Sequence, residues 1–160
     1  MNFKVFIRNI FIVTAATLML SACATKTATL PSQIQGDVYT GTDTVEYLAK
    51  GVPDRVFFAT NESVLTTASR DTLRKQAAWM RTNDSLSFTI EGHADERGTR
   101  EYNLALGERR ANAAKDYLMT YGISGNRLSV ISYGKERPVN SGSNPLAWSQ
   151  NRRSVTVKAN

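Results

Sequence analysis

The sequence of 160 residues predicts an α/β fold, in which a four-stranded sheet is covered by two long helices. Over residues 54–160, segments with the period of a strand alternate with segments with the period of a helix. The composition, 41% hydrophobic and 21% charged, is that of an ordinary globular protein and excludes a disordered or collagen-like chain. No internal repeat interrupts the pattern. We therefore expect one folded domain over residues 54–160.

The N-terminus, residues 1–22, has the features of a secretory signal peptide. Two basic residues precede the uncharged run Ile10–Leu20, which is too short to span a membrane because a spanning helix needs about 20 apolar residues. Cys23 is the only cysteine, so neither an internal disulfide nor a zinc finger is available. The segment Leu20–Cys23 resembles the lipobox of bacterial lipoproteins. This resemblance implies cleavage before Cys23 and its lipidation, which would anchor the mature protein to a membrane.

Residues 23–53 are expected to form the lipidated N-terminus and a flexible tether. They are rich in threonine, contain several glycines and prolines, and lack a sustained apolar period. The stretch 44–50 is compatible with one or two helical turns, through which part of the tether would dock on the domain. In the lipoproteins that this N-terminus resembles, an aspartate at the position of Ala24 would favour retention in the inner membrane, so the resemblance implies the outer membrane.

The net charge of +6 at first suggests a nucleic-acid partner. Removal of the signal peptide takes away Lys4 and Arg8 and leaves +4. Export also separates the protein from cytoplasmic nucleic acid, so we expect no nucleic-acid partner.

The first half of the domain predicts a strand, a helix and a second strand. Arg55–Phe58 is β-branched and aromatic, as strands are. Thr66–Thr82 places apolar residues at spacings of four and three and so predicts an amphipathic helix. Leu86–Glu91 alternates apolar and polar residues, which is typical of a half-buried strand.

The second half predicts a long helix, a strand, a short helix and a last strand. Glu101–Tyr121 carries a continuous apolar stripe, and Gly122 is the expected C-cap. The third strand is predicted over 128–133, the short helix over Asn144–Asn151 and the fourth strand over Val155–Val157.

The candidate functional residues lie in and after the glycine-bounded loop Gly92–Gly98, which follows the second predicted strand. Asp95 is expected to be exposed where this strand ends, and Arg110 lies about two turns into the next helix, which begins beside the same point. An anion and a cation would then flank one pocket. The same pair is equally compatible with an exposed salt bridge worth roughly 0 to 1 kcal/mol.

This region resembles the family of peptidoglycan-associated lipoproteins. The segments that carry the resemblance are Gly92–Thr99, Glu101–Asn103 and Leu106–Ala113. Two more, Ser132–Glu136 and Asn151–Arg153, are similar to that family and to the wider group of OmpA-like domains. The resemblance covers about two thirds of the chain and implies a βαβαββ α/β sandwich with a mixed sheet. It also implies a domain that binds the stem peptide of peptidoglycan through meso-diaminopimelate without cleaving it.

The free end of diaminopimelate is a zwitterion, so its site needs an anion and a cation close together. The resemblance implies that Asp95 binds the ammonium and that Arg110, with its planar fork, binds the carboxylate. It places four further residues at binding positions, namely Thr60, Asn61, Asn103 and Arg152. The loop that contains Ala59 departs from the aspartate-rich version of many family members, and its backbone N–H groups remain available to a ligand.

The resemblance also implies a protein partner. In this family the periplasmic protein TolB binds a surface that overlaps the wall site, and the Tol-Pal system draws the envelope inward at cell division. Glu96 and Arg97 are the candidates for this contact.

A catalytic function fits the sequence less well than a binding function. Asp95 and Glu96 are adjacent, whereas the carboxyl groups of a glycosidase flank a bond about 5 to 10 Å apart. His93 beside them suggests a metal site, but a catalytic zinc needs three protein ligands and the chain has one histidine. We therefore expect no enzyme, no cofactor and no metal. Two alternatives stay open, a periplasmic wall-active hydrolase and a lipoprotein that only recruits protein partners.

Overall fold

The structure, a computed structural model, describes residues 33–159. The predicted signal peptide, the lipidated Cys23 and the first part of the tether lie outside the described residues. Within residues 33–159, no helix has the length and apolar character needed to span a membrane.

Two short antiparallel hairpins open the described part of the chain. The first pairs β1 (Ile34–Gln35) with β2 (Val38–Tyr39), and the second pairs β3 (Tyr47–Ala49) with β4 (Val52–Pro53). Gly36 turns the first hairpin with φ +65°, a left-handed conformation that glycine adopts without steric cost.

Both hairpins pack on the domain. Tyr39 is buried and contacts Phe57 edge to face, with ring centroids 4.8 Å apart. Leu48 packs against the core. Part of the tether thus docks on the domain, as the sequence allowed, but the flexible coil expected for residues 33–53 is wrong, and β3 replaces the helical turns expected over 44–50. Composition missed this order because it comes from burial against the domain, which local propensity does not encode.

The domain is built on one mixed sheet of four strands. These are β5 (Arg55–Phe57), β6 (Phe88–His93), β7 (Leu128–Gly134) and β8 (Arg153–Lys158), in the spatial order β5-β8-β6-β7. The β6 and β7 strands are parallel, while β8 runs antiparallel to β5 and β6. This topology confirms the predicted fold.

Three helices complete the domain, namely α1 (Thr67–Thr82), α2 (Arg100–Thr120) and α3 (Pro145–Asn151). Each begins after a Thr or Asn whose side chain accepts a hydrogen bond from the first turn. The α2 helix ends before Gly122, which has φ +84° as a C-terminal glycine should. A 3₁₀ turn, Gly125–Arg127, leads into β7. The helix predictions are confirmed to within one or two residues.

The core lies between α1, α2 and one face of the sheet. Its buried members are Val56, Phe58, Leu73, Ala77, Met80, Phe88, Ile90, Ala111, Ala114, Leu118, Ile123 and Leu128. The α2 helix lies directly on β6, because a Cβ at Gly92 would overlap the backbone carbonyl of Gly107. This close packing holds the loop after β6 beside the N-terminal half of α2.

Candidate functional site

The predicted site forms where three loops meet, namely those that follow β5, β6 and α3. Arg152 Nε donates to the carbonyl of Phe58 at 3.1 Å, and Arg152 Nη1 donates to Asp95 at 3.2 Å. Arg110 Nη1 donates to the carbonyl of His93 at 2.9 Å. The structure thereby gathers Asp95, Arg110 and Arg152 around the loops that follow β5, β6 and α3.

Arg110 is a fixed cation inside the site. Its side chain is 0% exposed, and its guanidinium donates to the carbonyls of Glu62 (2.8 Å), His93 (2.9 Å) and Ala59 (3.0 Å). The guanidinium also lies 5.4 Å from the ring centroid of Phe58. Burial, assisted by the charge of Arg152, lowers the pKa of Arg110 to about 10, so it remains cationic at neutral pH.

The charge of Arg110 lacks a direct counter-charge. Among residues 33–159 it forms no ion pair, since Asp95 influences it only through space. A guanidinium has five N–H donors, of which three are used here, so two are left for an acceptor. A buried cation held only by neutral acceptors is costly to keep and suits an anionic ligand.

Asp95 differs from the expected exposed carboxylate, because it is only 7% exposed and is paired with arginines other than Arg110. Arg97 donates its Nη2 to Oδ2 at 2.6 Å and its Nε to Oδ1 at 3.1 Å. Burial by itself would raise the pKa of Asp95, but the hydrogen bonds from Arg97 and Arg152 outweigh it and lower the pKa. The sequence predicted an exposed Asp95, and this is wrong, because both Asp95 and Arg110 are buried.

Arg152 is the second cation of the site, and it is 3% exposed. Besides Phe58 and Asp95 it contacts Asp37 of the first hairpin, donating Nη2 to the backbone carbonyl and lying 3.9 Å from the carboxylate. Burial lowers the pKa of Arg152, and the hydrogen bond to Asp95 opposes this effect.

The three uncharged candidates for ligand binding differ in their burial and in their hydrogen bonds. Asn103 is buried and donates Nδ2 to the carbonyl of Arg97 at 2.7 Å, so it holds the loop after β6. The Oγ1 of Thr60 accepts from Arg97 Nη2 at 3.4 Å. Asn61 is exposed at the turn with φ +56°, and among the described residues its side chain makes no hydrogen bond.

Glu96 and Arg97, predicted as partner contacts, lie on the surface beside the site. The carboxylate of Glu96 accepts from Trp148 Nε1 (2.9 Å) and from Ser143 Oγ (3.0 Å), and these bonds lower its pKa. The guanidinium of Arg97 lies 4.4 Å from the ring centroid of Trp148. Trp148 is thus part of the same surface.

Sequence reasoning missed Asp37. Its carboxylate accepts from the backbone N–H of Thr60 at 2.6 Å in addition to facing Arg152. Burial would raise the pKa of Asp37, but hydrogen bonds from Thr60 lower it. No motif marks this residue, because its contact depends on how the hairpin docks.

His93 does not join the carboxylates in a metal site. Its ring is buried against Tyr133, with ring centroids 5.6 Å apart. Burial first, and then the charges of Arg153 and Arg55, lower its pKa to about 3. In the described range 33–159, no group of three His, Cys, Asp or Glu side chains is placed to hold a metal ion.

Comparison with known proteins agrees with this architecture. Residues 57–152 match the OmpA family. The chain is 46% identical over 152 residues to "Peptidoglycan-associated lipoprotein" from Rhizobium meliloti (strain 1021), covering 92% of this chain and 86% of that protein.

Solved structures give the same result. The crystal structure of the peptidoglycan-associated lipoprotein from Burkholderia pseudomallei has a TM-score of 0.65 and 34% identity, and the match covers 66% of this chain and 90% of that one. The C-terminal domain of Helicobacter pylori MotB has a TM-score of 0.62 at 18% identity, covering 67% of this chain and 84% of that one, which shows a shared fold.

Proposed function

Since the chain belongs to the OmpA family and, within it, to the peptidoglycan-associated lipoproteins, we propose that it binds peptidoglycan non-covalently and links it to the outer membrane. Cys23 would carry the lipid anchor, and the domain would hold the wall without cleaving it. The observation that carries this proposal is Arg110, a buried cation that forms no ion pair within residues 33–159 and is influenced through space by the buried anion Asp95.

The chemistry of the site fits meso-diaminopimelate of the stem peptide. The two free N–H donors of Arg110 suit a carboxylate, which takes a fork of parallel hydrogen bonds. Asp95 is ionised and suits the neighbouring ammonium, which would replace the guanidinium of Arg97. Arg152 adds a second positive charge, while Thr60, Asn61 and Asn103 supply neutral donors and acceptors.

We place a protein partner on the surface formed by Glu96, Arg97 and Trp148. Arg97 contacts both Trp148 on this surface and Asp95 in the site. A partner that holds Arg97 in this position keeps Asp95 paired and would therefore compete with the wall. The family resemblance implies TolB as this partner, and with it a role in the Tol-Pal system and cell division.

The test is calorimetric titration of the mature chain, residues 23–160, with a meso-diaminopimelate muropeptide. Cys23→Ser keeps this protein free of acyl chains. Asp95→Asn keeps the shape of the side chain but removes its charge, and we expect it to lose about 2 to 5 kcal/mol of binding free energy because charged partners are left unpaired. Asp116→Asn, which changes an exposed aspartate of α2, is the matched control. Unchanged binding by Asp95→Asn would overturn the site assignment.

A further inference from the structure

The charged groups of the site are occupied by the chain itself. Arg97 places a cation on Asp95, where the ammonium of the ligand is proposed to bind. Asp37 places a carboxylate near Arg152 and on the N–H of Thr60. Together these two side chains present one positive and one negative group, the same pair of charges that a zwitterionic ligand would bring.

The hairpin that carries Asp37 is docked rather than free. Its strands β1 and β2 pair in antiparallel register, and Thr40 N–H donates to the carbonyl of Gln33 at 2.7 Å. Tyr39 at its end is 2% exposed and packs on Phe57. These contacts hold the hairpin tip, and Asp37 with it, over the site.

Asp37 also acts on Arg110 through one loop. Its carboxylate holds the backbone of Thr60, which lies in the turn between Ala59 and Glu62. The carbonyls of those two residues accept hydrogen bonds from the guanidinium of Arg110, which is 0% exposed. A ligand that binds the free N–H donors of Arg110 must move some of the groups that bury it, and these include the turn that the hairpin holds.

We propose that the hairpin of residues 33–40 is an intramolecular competitor of peptidoglycan, with Asp37 as its ligand-like group. This inference rests on the proposed function, since it concerns the same site. The described conformation is the closed one, and wall binding requires the hairpin to leave. The apparent association constant then equals that of the open site multiplied by the fraction of molecules that are open.

The position of the hairpin on the tether links this competition to the distance between membrane and wall. With the hairpin docked, the nine residues 24–32 lie between Cys23 and the hairpin, and a chain of nine residues reaches at most about 30 Å. Release of residues 33–40 would raise that limit to about 60 Å. Leaving the closed form would thus both free the site and lengthen the tether.

The experiment compares the mature chain carrying Cys23→Ser with the same chain carrying Asp37→Ala in titrations with the meso-diaminopimelate muropeptide. We expect Asp37→Ala to bind the muropeptide about tenfold more tightly. This is the gain when a closed form that outnumbers the open form about tenfold is no longer favoured. Asp84→Ala removes an exposed aspartate after α1 and should leave binding unchanged. Thermal melting checks that both variants are folded.

Hydrogen exchange separates displacement of the hairpin from simple charge repulsion. In the unmutated site, the amides of residues 33–40 should exchange faster once muropeptide is bound. Tighter binding without faster exchange would mean repulsion alone and would overturn the inference, as would equal or weaker binding by Asp37→Ala while the parent chain binds. If neither the parent chain nor either variant binds, the proposed function itself fails and the inference fails with it.

Discussion

The guanidinium of Arg97 and the carboxylate of Asp95 form a two-pronged ion pair, with Nη2 2.6 Å from Oδ2 and Nε 3.1 Å from Oδ1. The same guanidinium lies over the ring of Trp148. One side chain therefore joins the buried anion of the site to the neighbouring surface. Any cationic ligand of Asp95 has to displace Arg97, and any partner that binds Trp148 also contacts Arg97.

Arg97→Gln tests this competition. Within residues 33–159, the substitution leaves Asp95 with Arg152 as its remaining arginine partner, so an ammonium no longer has to displace the guanidinium of Arg97. We expect muropeptide affinity to rise, by at most about fivefold, because a partly exposed ion pair is worth roughly 0 to 1 kcal/mol. Calorimetric titration measures the change. Arg100→Gln, at an exposed arginine that pairs with Glu136 at 3.4 Å, is the control, and weaker binding by Arg97→Gln would make Arg97 a ligand contact instead.

Arg110→Lys tests the geometry of the cation. Lysine keeps the positive charge but lacks the planar fork that bonds three carbonyls and leaves two donors free. We expect the variant to lose about 2 kcal/mol or more of muropeptide binding, whereas Arg109→Lys at the exposed neighbouring position should bind normally. Full binding by Arg110→Lys, measured on a variant with an unchanged melting temperature, would show that charge alone suffices.

His93 predicts a specific pH dependence of stability. Its pKa falls from 6.5 to about 3 on folding, so the unfolded chain takes up the proton first as the pH decreases. The contribution of neutral His93 to the free energy of unfolding is complete above about pH 6.5. It is lost progressively down to about pH 3, and the free energy of unfolding changes by about 1.4 kcal/mol per pH unit in this range. Denaturant unfolding between pH 4 and 6 should show a shallower slope for His93→Gln. Parallel slopes for the two proteins would refute a neutral buried His93.

The contact between β6 and α2 predicts a packing effect on stability. Gly92→Ala would place a Cβ against the backbone of Gly107, which cannot move as a flexible side chain can. We expect a loss of about 1 to 3 kcal/mol or more in the free energy of unfolding. Gly125→Ala meets only the flexible end of Met119, so it serves as the control and should be nearly neutral in denaturant unfolding. Equal stability of the two variants would contradict the proposed close packing.

Local patterns in the sequence were enough to place the elements of the domain. The spacing of apolar residues marks α1 and α2, and alternation marks β6, because each periodicity depends only on which face is buried. Asp95 and Arg110 were singled out by their positions after the second strand and in the next helix, and the family resemblance supplied their ligand roles. Neither indicated how Asp95 is paired, since the arginines that bind it are Arg97 and Arg152 rather than Arg110.

The docked hairpin could not be predicted in the same way. Tyr39 is buried only because Phe57 lies beneath it, and Asp37 contacts residues more than twenty positions away along the chain. A segment of threonine and glycine has the local composition of a linker whether or not it docks. Such order depends on tertiary contacts between distant residues and so requires the folded structure.

The most direct test of the central claim compares two muropeptides that differ only at the third residue of the stem, meso-diaminopimelate or lysine. Lysine lacks the distal carboxylate that Arg110 is proposed to bind. Calorimetric titration of the mature, unacylated chain should give about 30-fold to 1,000-fold weaker binding to the lysine form, equivalent to about 2 to 4 kcal/mol. Equal affinity for the two muropeptides would contradict the account, because the buried cation would then have no part in recognising the wall.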